Sequence, residues 1–253
     1  MRMFFKRWFW RLFLLLVGIV FAYQFWIFGH VVYWNSYNPS SSAFMEDRLA
    51  VLRQGNRTAV LRTQWVPYER ISPNLKRAII AAEDSKFLAH EGFDFDAIQN
   101  AYQKNVKKGK LVAGGSTISQ QLAKNLFLSS EKTPGRKIQE AIITLMLENV
   151  MSKRRILEIY LNVIEWGDGI YGAEAAAEHY FHKSAAALSA NEAAFLAAMI
   201  PNPRTVFNPQ VNARRVARRQ RIILRGMPYI RLPQIGRLRW QQTKKPLRSK
   251  RLF

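Results

Sequence analysis

Glu83 opens a run, Glu83-Asp84-Ser85-Lys86-Phe87-Leu88-Ala89-His90-Glu91-Gly92, with the residue types of a general acid–base site. Ser72-Pro73 reads as an N-cap followed by an N1 proline, opening a helix expected to run through about Leu88. On one helix, Ile79, Glu83, Phe87 and His90 fall at i, i+4, i+8 and i+11 and share a stripe. A carboxylate on an apolar stripe is partly desolvated, and desolvation favours its protonated form enough to suit proton transfer near neutral pH. The plainer reading pairs Glu83 with Lys86 or His90 at the helix surface, and spacing alone leaves both readings open.

A second run, Gly114-Gly115-Ser116-Thr117-Ile118-Ser119-Gln120-Gln121-Leu122-Ala123-Lys124-Asn125, has the pattern of an anion site. Two glycines lead into a Ser/Thr cap, so backbone N–H groups and the helix dipole would face an anion. Thr117, Gln121 and Lys124 then stand at i, i+4 and i+7 on one face, with Ile118 and Leu122 on the other. A polar stripe ending in lysine suits a phosphate or diphosphate; the alternative is an ordinary capped helix with a solvated face. P-loop spacing is absent, so a nucleoside triphosphate is not indicated. Arg136 and Glu140, one turn apart in Arg136-Lys137-Ile138-Gln139-Glu140, read by spacing as a surface pair worth a few tenths of a kcal/mol. Lys153 to Asn162 reads as an amphipathic packing helix, and His179 and His182 as structural or solvated.

These residues need a mostly helical frame. Beyond residues 72–88, helices are expected at 94–108, 117–128, 134–151, 153–163, 170–180, 189–199 and 210–226. Strand-like alternation is nearly missing after residue 70, residues 46–70 resist assignment, and no internal repeat is present. The expected fold is therefore mainly α. The 253 residues are 49% hydrophobic and 13% aromatic, which excludes a disordered basic arm. Cysteine is absent, so disulfides, a thiolate nucleophile and Cys-ligated zinc are excluded.

The charge is lopsided: 39 Lys+Arg against 17 Asp+Glu gives +22. Nucleic acid, an anionic membrane and a phosphorylated substrate all answer such an excess. Its distribution discriminates. Arg2, Lys6, Arg7 and Arg11 precede an uncharged run, Leu12 to Tyr33, and 15 Lys/Arg with no acid lie between Arg204 and Phe253. At ~1.5 Å per residue the 22-residue run reaches about 33 Å, enough to span a bilayer. It is longer than the apolar region of a cleaved signal peptide and lacks a small-x-small site after it, so an uncleaved anchor is expected. The positive-inside bias puts the N-terminus in the cytoplasm and the rest outside, away from nucleic acid. The aromatic and aliphatic residues Phe44, Leu49, Trp65 and Val66 are expected to form an interfacial patch beside the anchor. The 15 C-terminal charges are expected against anionic lipid or an acidic cell wall.

In their order along the chain these runs resemble the glycosyltransferase domain of peptidoglycan polymerases, family 51, in its monofunctional, single-anchor form. The shared motifs are ED-x-x-F-x-x-H-x-G, G-G-S-T-I-x-Q-Q-x-x-K-N, R-K-x-x-E and K-x-x-I-L-E-x-Y-L-N, followed by Gly169-Ile170-Tyr171-Gly172 and Tyr180-Phe181. The likeness covers about Leu75 to Pro203. It implies a lysozyme-like helical domain at 71–227, after a cytoplasmic segment 1–11, an anchor 12–33 and a membrane-proximal segment 34–70, and before a basic extension 228–253. It also implies polymerisation of lipid II into β-1,4 glycan strands with inversion and release of undecaprenyl diphosphate. Glu83 would be the base and Glu140 the second glutamate, near the donor's diphosphate. Lys124, Arg136 and Lys137 would bind that diphosphate; Ser116, Thr117, Gln121 and Asn125 would position substrate; Asp84, Phe87 and His90 would shape the base's surroundings.

The resemblance names no firm cofactor and leaves open a divalent cation, Mg2+ or Mn2+, at the diphosphate. It implies the bacterial inner membrane, a periplasmic catalytic domain, and as partners lipid II, the growing lipid-linked glycan and cell-wall synthesis or division proteins. Ser129-Ser130-Glu131-Lys132 matches the SxxK of transpeptidases by accident, since no KTG follows, and penicillin binding is not expected. A glycan-cleaving muramidase and a non-enzymatic basic scaffold are the rival readings.

Overall fold

The computed structural model describes residues 2–110, 114–129 and 133–234. Ser130 to Lys132 and the basic residues 235–253 lie outside the described residues. The first helix, α1 (Arg2–Ser36), includes a 31-residue candidate span, Lys6–Ser36, with an 18-residue window of mean hydropathy 2.2, long and apolar enough to cross a membrane. At ~1.5 Å per residue that stretch exceeds the roughly 30 Å hydrocarbon core, so its last turns are free to meet the domain. Ile27 and Val31, one turn apart, are fully buried there, and the side-chain amides of Gln24 and Gln139 donate to each other at 2.7 and 3.1 Å. Arg155 adds hydrogen bonds to the Trp34 and Tyr37 carbonyls and the Asn38 side chain.

After the anchor come α2 (Ala43–Gly55), α3 (Pro73–Glu83), α4 (Phe95–Lys108), α5 (Ile118–Phe127), α6 (Pro134–Val150), α7 (Lys153–Val163), α8 (Ala173–Phe181), α9 (Ala190–Met199) and α10 (Pro209–Gly226). Side-chain caps start most of them: Ser42, Ser72, Asp94, Thr117, Thr133, Ser152, Ser189 and Asn208 each accept a first-turn N–H. α9 is alanine-rich, and its buried Ala193, Ala194, Ala197 and Ala198 let α3 and α10 pack closely on it. α5 packs between α6 and α7, and α1 lies along α6. A small sheet sits at one side: β1 (Arg62–Thr63) runs parallel to β3 (Ile170–Tyr171), which pairs antiparallel with a bulged β2 (Glu165–Gly167).

The mainly α expectation holds, and most helix boundaries fall within a residue or two of it. α3 is the exception that matters. It ends at Glu83, five residues before Leu88, because Asp84 leaves the helix with φ −162° and turns its carboxylate to distant partners. Phe87 and His90 therefore come from the following turns, and the four-residue helical stripe through Glu83 does not exist. Residues 170–171 form β3 rather than the start of α8. The unassigned region contains α2, with Met45 buried, packed on α5.

Two expectations about surfaces also change. Val66 is core rather than interfacial patch, its N–H and C=O both bonded to the Asn162 side chain at 2.8 and 2.9 Å. The exposed apolar stripe lies instead on α4, where Phe95, Ile98, Tyr102 and Val106 share one face. Residues 228–234, expected as the start of an extension, still belong to the domain: Ile230 and Leu232 pack on the core, and the Tyr68 hydroxyl donates to the Pro233 carbonyl at 3.3 Å.

Gly92 joins three of these pieces. At φ +94° its N–H donates to His90 Nδ1 at 3.1 Å and its carbonyl accepts from the Thr117 hydroxyl at 2.7 Å. A Cβ there would stand 2.8 Å from Thr144 Cγ2 on α6. Gly92→Ala combines that overlap with a strained backbone, worth about 1–3 kcal/mol. Thermal unfolding in detergent should show the matching fall in midpoint; an unchanged midpoint would mean that the turn shifts freely.

Candidate active site

Glu83, the last residue of α3, has a side chain only 8% exposed and a donor on each oxygen. Arg219 Nη2, from α10, donates to Oε1 at 2.7 Å, and Gln121 Nε2, from α5, donates to Oε2 at 2.9 Å. Gln121 is itself oriented, because the Tyr160 hydroxyl on α7 donates to its Oε1 at 2.9 Å and leaves its NH2 for the carboxylate. Tyr160 is fully buried; burial first, then the carboxylates of Glu83 and Asp84, push its phenol well above the usual range. It stays a neutral donor.

Next to it, the Asp84 carboxylate receives His90 Nε2–H at 2.9 and 3.0 Å and the Ile118 backbone N–H at 3.1 Å. His90 Nδ1 accepts from the Gly92 N–H, which fixes the proton on Nε2. Phe87 is buried beside this pair, and the Lys153 ammonium lies 4.6 Å from its ring centroid. Burial, the leading influence, holds Lys153 below the usual lysine range against the opposing pull of Glu148. Asp84, Phe87 and His90 thus form the packed support behind Glu83 and do not face the same opening.

A second station is built on the first half of α6. Glu140 is buried and both its oxygens are ion-paired, Oε2 with Arg136 at 3.2 Å and Oε1 with Lys137. Lys137 also donates to the Ser116 hydroxyl at 3.3 Å, tying the loop before α5 to α6. The surface-pair reading of Arg136 and Glu140 fails here: one carboxylate is buried under two cations, and the buried Arg136 Nε–H has no acceptor among the described residues.

Lys124 on α5 belongs to both stations. Burial lowers its pKa first, Glu140 and Glu83 pull it back up, and Arg136 and Lys137 push it down. The ammonium also lies 5.3 Å from the Phe44 ring centroid.

The expected stripe of Thr117, Gln121 and Lys124 is divided among three tasks. Thr117 is the buried cap of α5, closing a capping box with Gln120 and donating to Gly92. The helix N-terminus it opens serves an internal anion, the Asp84 carboxylate, in place of a ligand. Asn125 is buried and its side-chain amide donates back to the Gln121 carbonyl at 2.7 Å, so it stiffens α5. Gln121 and Lys124 alone of the three point into the site.

Sequence reasoning missed Arg219 and Tyr160. Arg219 is one of six arginines on α10, and its faint signal is that Val216, Arg219 and Ile223 stand at i, i+3 and i+7 on the buried face. His179 keeps a structural reading, in contact with Arg62 at 3.2 Å. No cluster of three or more His, Asp or Glu able to hold a metal ion occurs among the described residues.

The profile of a family described as Transglycosylase matches residues 50–228. A biosynthetic peptidoglycan transglycosylase from Nitrosospira multiformis is 65% identical over 231 residues, 91% of this chain and 100% of the relative. Proteins of that name from Methylobacillus flagellatus and Chromobacterium violaceum are 61% and 60% identical, covering 90% and 86% of this chain and 99% and 95% of their own length.

Removing the Tyr160 hydroxyl leaves Gln121 Oε1 without that donor and the side-chain amide less firmly held against Glu83. Tyr160→Phe should cost about 0.5–1.5 kcal/mol of stability in chemical denaturation. A variant as stable as the parent would show that the hydroxyl does not hold the amide.

Proposed function

This chain belongs to the transglycosylase family, and from that membership together with the two-station site we infer that it is a peptidoglycan glycosyltransferase building glycan strands for the cell wall. The substrate we assign is lipid II, a disaccharide-pentapeptide on undecaprenyl diphosphate. The growing lipid-linked strand is the donor, and the sugar 4-hydroxyl of the next lipid II is the acceptor. The bond from donor C1 to the diphosphate oxygen breaks as the bond from C1 to the acceptor oxygen forms. Configuration inverts from α to β and undecaprenyl diphosphate leaves.

Such an inversion needs a base on one side of the sugar and charge neutralisation on the other. The observation that carries the reading is a carboxylate and a cation cluster joined through α5: Gln121 bonds Glu83, and Ser116, just before the helix, bonds Lys137 of the cluster on Glu140. Glu83, held as an acceptor by Arg219 and Gln121, takes the proton of the acceptor hydroxyl. Lys124, Arg136 and Lys137 take up the negative charge of the departing diphosphate by charge-assisted hydrogen bonds. Glu140 keeps Arg136 and Lys137 gathered and yields them in part to the diphosphate.

A divalent cation at this diphosphate fits the residues poorly. Glu140 is the carboxylate of the station, both its oxygens are already paired with cations, and Lys124 adds a third positive group close by. We assign charge neutralisation to the three basic side chains.

Topology supports the same reading. A lipid-linked substrate stays at the bilayer, and α1 is bonded through Gln24 to Gln139, next to Glu140, so the anchor holds the diphosphate station near the lipid. The four basic residues before the apolar run favour a cytoplasmic N-terminus and a periplasmic domain at the inner membrane. The exposed stripe of α4 offers a further apolar surface to the interface.

The direct test is a product gel from purified protein and labelled lipid II. The parent should make a ladder of glycan, and Glu83→Gln should lose about 10²–10⁴-fold in rate while keeping its fold. Undiminished polymerisation by that variant would remove Glu83 as the base. A second test uses pH. Burial lowers Lys124 below the ordinary 10.5, so its charge is lost earlier as pH rises, and kcat/KM should fall on an alkaline limb below that value. Lys124→Arg keeps the charge throughout and should move the limb upward. An unmoved limb would take Lys124 away from the diphosphate.

A further inference from the structure

Glu83 sits where a carboxylate is electrostatically out of place. It is the last residue of α3, and a helix C-terminus presents unsatisfied carbonyls and the negative end of the dipole. Asp84 follows immediately with a second carboxylate. A cation here offsets this crowd of negative ends and holds the carboxylate in place.

Arg219 does so through one nitrogen. Its Nη2 donates to Glu83 Oε1 at 2.7 Å and to the Ala82 carbonyl at 3.2 Å, so the guanidinium grips both the carboxylate and the last turn of α3. Its position is held from behind: α10 packs on α3 and α9 through the buried Val216 and Ile223, and the guanidinium lies 5.5 Å from the Phe207 ring centroid. Its Nε–H is buried with no acceptor among the described residues. Arg214, Arg215, Arg218, Arg221 and Arg225 on the same helix are exposed, which sets Arg219 apart from the general basic surface.

Resting on the function inferred above, we propose that Arg219 is the positioning residue of the reaction, holding the Glu83 carboxylate in place and aiming it at the acceptor hydroxyl. Each carboxylate oxygen has room for two donors. Arg219 occupies one place on Oε1 and Gln121 one on Oε2, and a remaining place receives the hydroxyl proton. The other groups around Glu83 are Lys124 on α5, Tyr160 on α7 and Asp84 at the end of α3. Of these only Lys124 is cationic, and it is shared with Glu140, so Arg219 is the cation bonded directly to the base.

The test compares Arg219→Gln, Arg219→Lys and Arg219→Ala in the full-length protein in detergent. With lipid II, Arg219→Gln should lower kcat about 10- to 100-fold with KM little changed, since orienting the base matters mainly in the transition state. Arg219→Lys should keep more of the turnover, and added methylguanidine should restore part of the turnover of Arg219→Ala. A loss that falls on KM instead of kcat, or no rescue by methylguanidine, overturns the proposal. Crystal structures of the parent and Arg219→Gln test the same role without turnover: the Glu83 carboxylate turns from its place in the variant while the rest of α3 stays, and an unmoved carboxylate sinks the assignment. A parent protein that makes no glycan from lipid II would instead sink the inferred function, with the crystal structures still deciding the role of Arg219.

Discussion

The buried Asp84 carboxylate is the contact on which the site's geometry depends. By accepting the Ile118 N–H it docks the first turn of α5 against the end of α3, and by accepting from His90 it closes the turn between them. A buried carboxylate is costly unless it is fully paired, and a helix N-terminus is one of the few backbone arrangements that favours a negative charge. The pairing settles two positions at once. It stops α3 at Glu83, leaving that side chain at a helix end where it meets other elements, and it sets the phase of α5, bringing Gln121 to Glu83 and Lys124 between the two stations. Gly92 and Thr117 then lock the arrangement, each through a hydrogen bond that spans the same junction.

Around this junction the protein buries more charge than its stability requires. The carboxylates of Glu140 and Glu83, 4% and 8% exposed, are taken out of water, with Arg136, Lys137 and Arg219 as their more exposed partners. Buried ion pairs seldom gain stability over well-packed apolar side chains, so their presence asks for another explanation. Their arrangement supplies one in the proposed reaction. Donors and charges held in a dry site before the substrate arrives need no reorganisation when charge develops.

The sequence exposed what is local and concealed what is long-range. Helical periodicity and caps located α4 to α10 closely, because Thr117, Ser152 or Ser189 signals a helix start within three residues. The end of α3 was hidden because its cause lies 34 residues away, in the Ile118 N–H. Spacing could show that Arg136 and Glu140 share a face of α6 but not that the face is covered, so a buried centre looked like an ordinary surface pair. Arg219 was hidden among its neighbours, since six arginines on α10 obscure the one whose position falls in phase with Val216 and Ile223. The motif residues were legible as a set. The division of labour among them was not, because capping, bracing and facing the site use the same polar side chains.

The anchor also has a structural part in this arrangement. Gln24 is an amide inside the uncharged run of α1, and an unpaired amide is poorly tolerated in hydrocarbon. Here it meets Gln139 with two hydrogen bonds, and Ile27 and Val31 below it are buried against the domain. Gln139 directly precedes Glu140, so a shift of α1 along its axis would pull on the turn of α6 that holds Arg136, Lys137 and Glu140. A flexible tether would only raise the local concentration of enzyme at the membrane. A docked helix does more, because it fixes how far the cation station stands from the lipid, and a diphosphate attached to a membrane-held chain can reach it only within a narrow range of heights. The docked helix thus ties α6 and its cations to the one described segment long and apolar enough to cross a membrane.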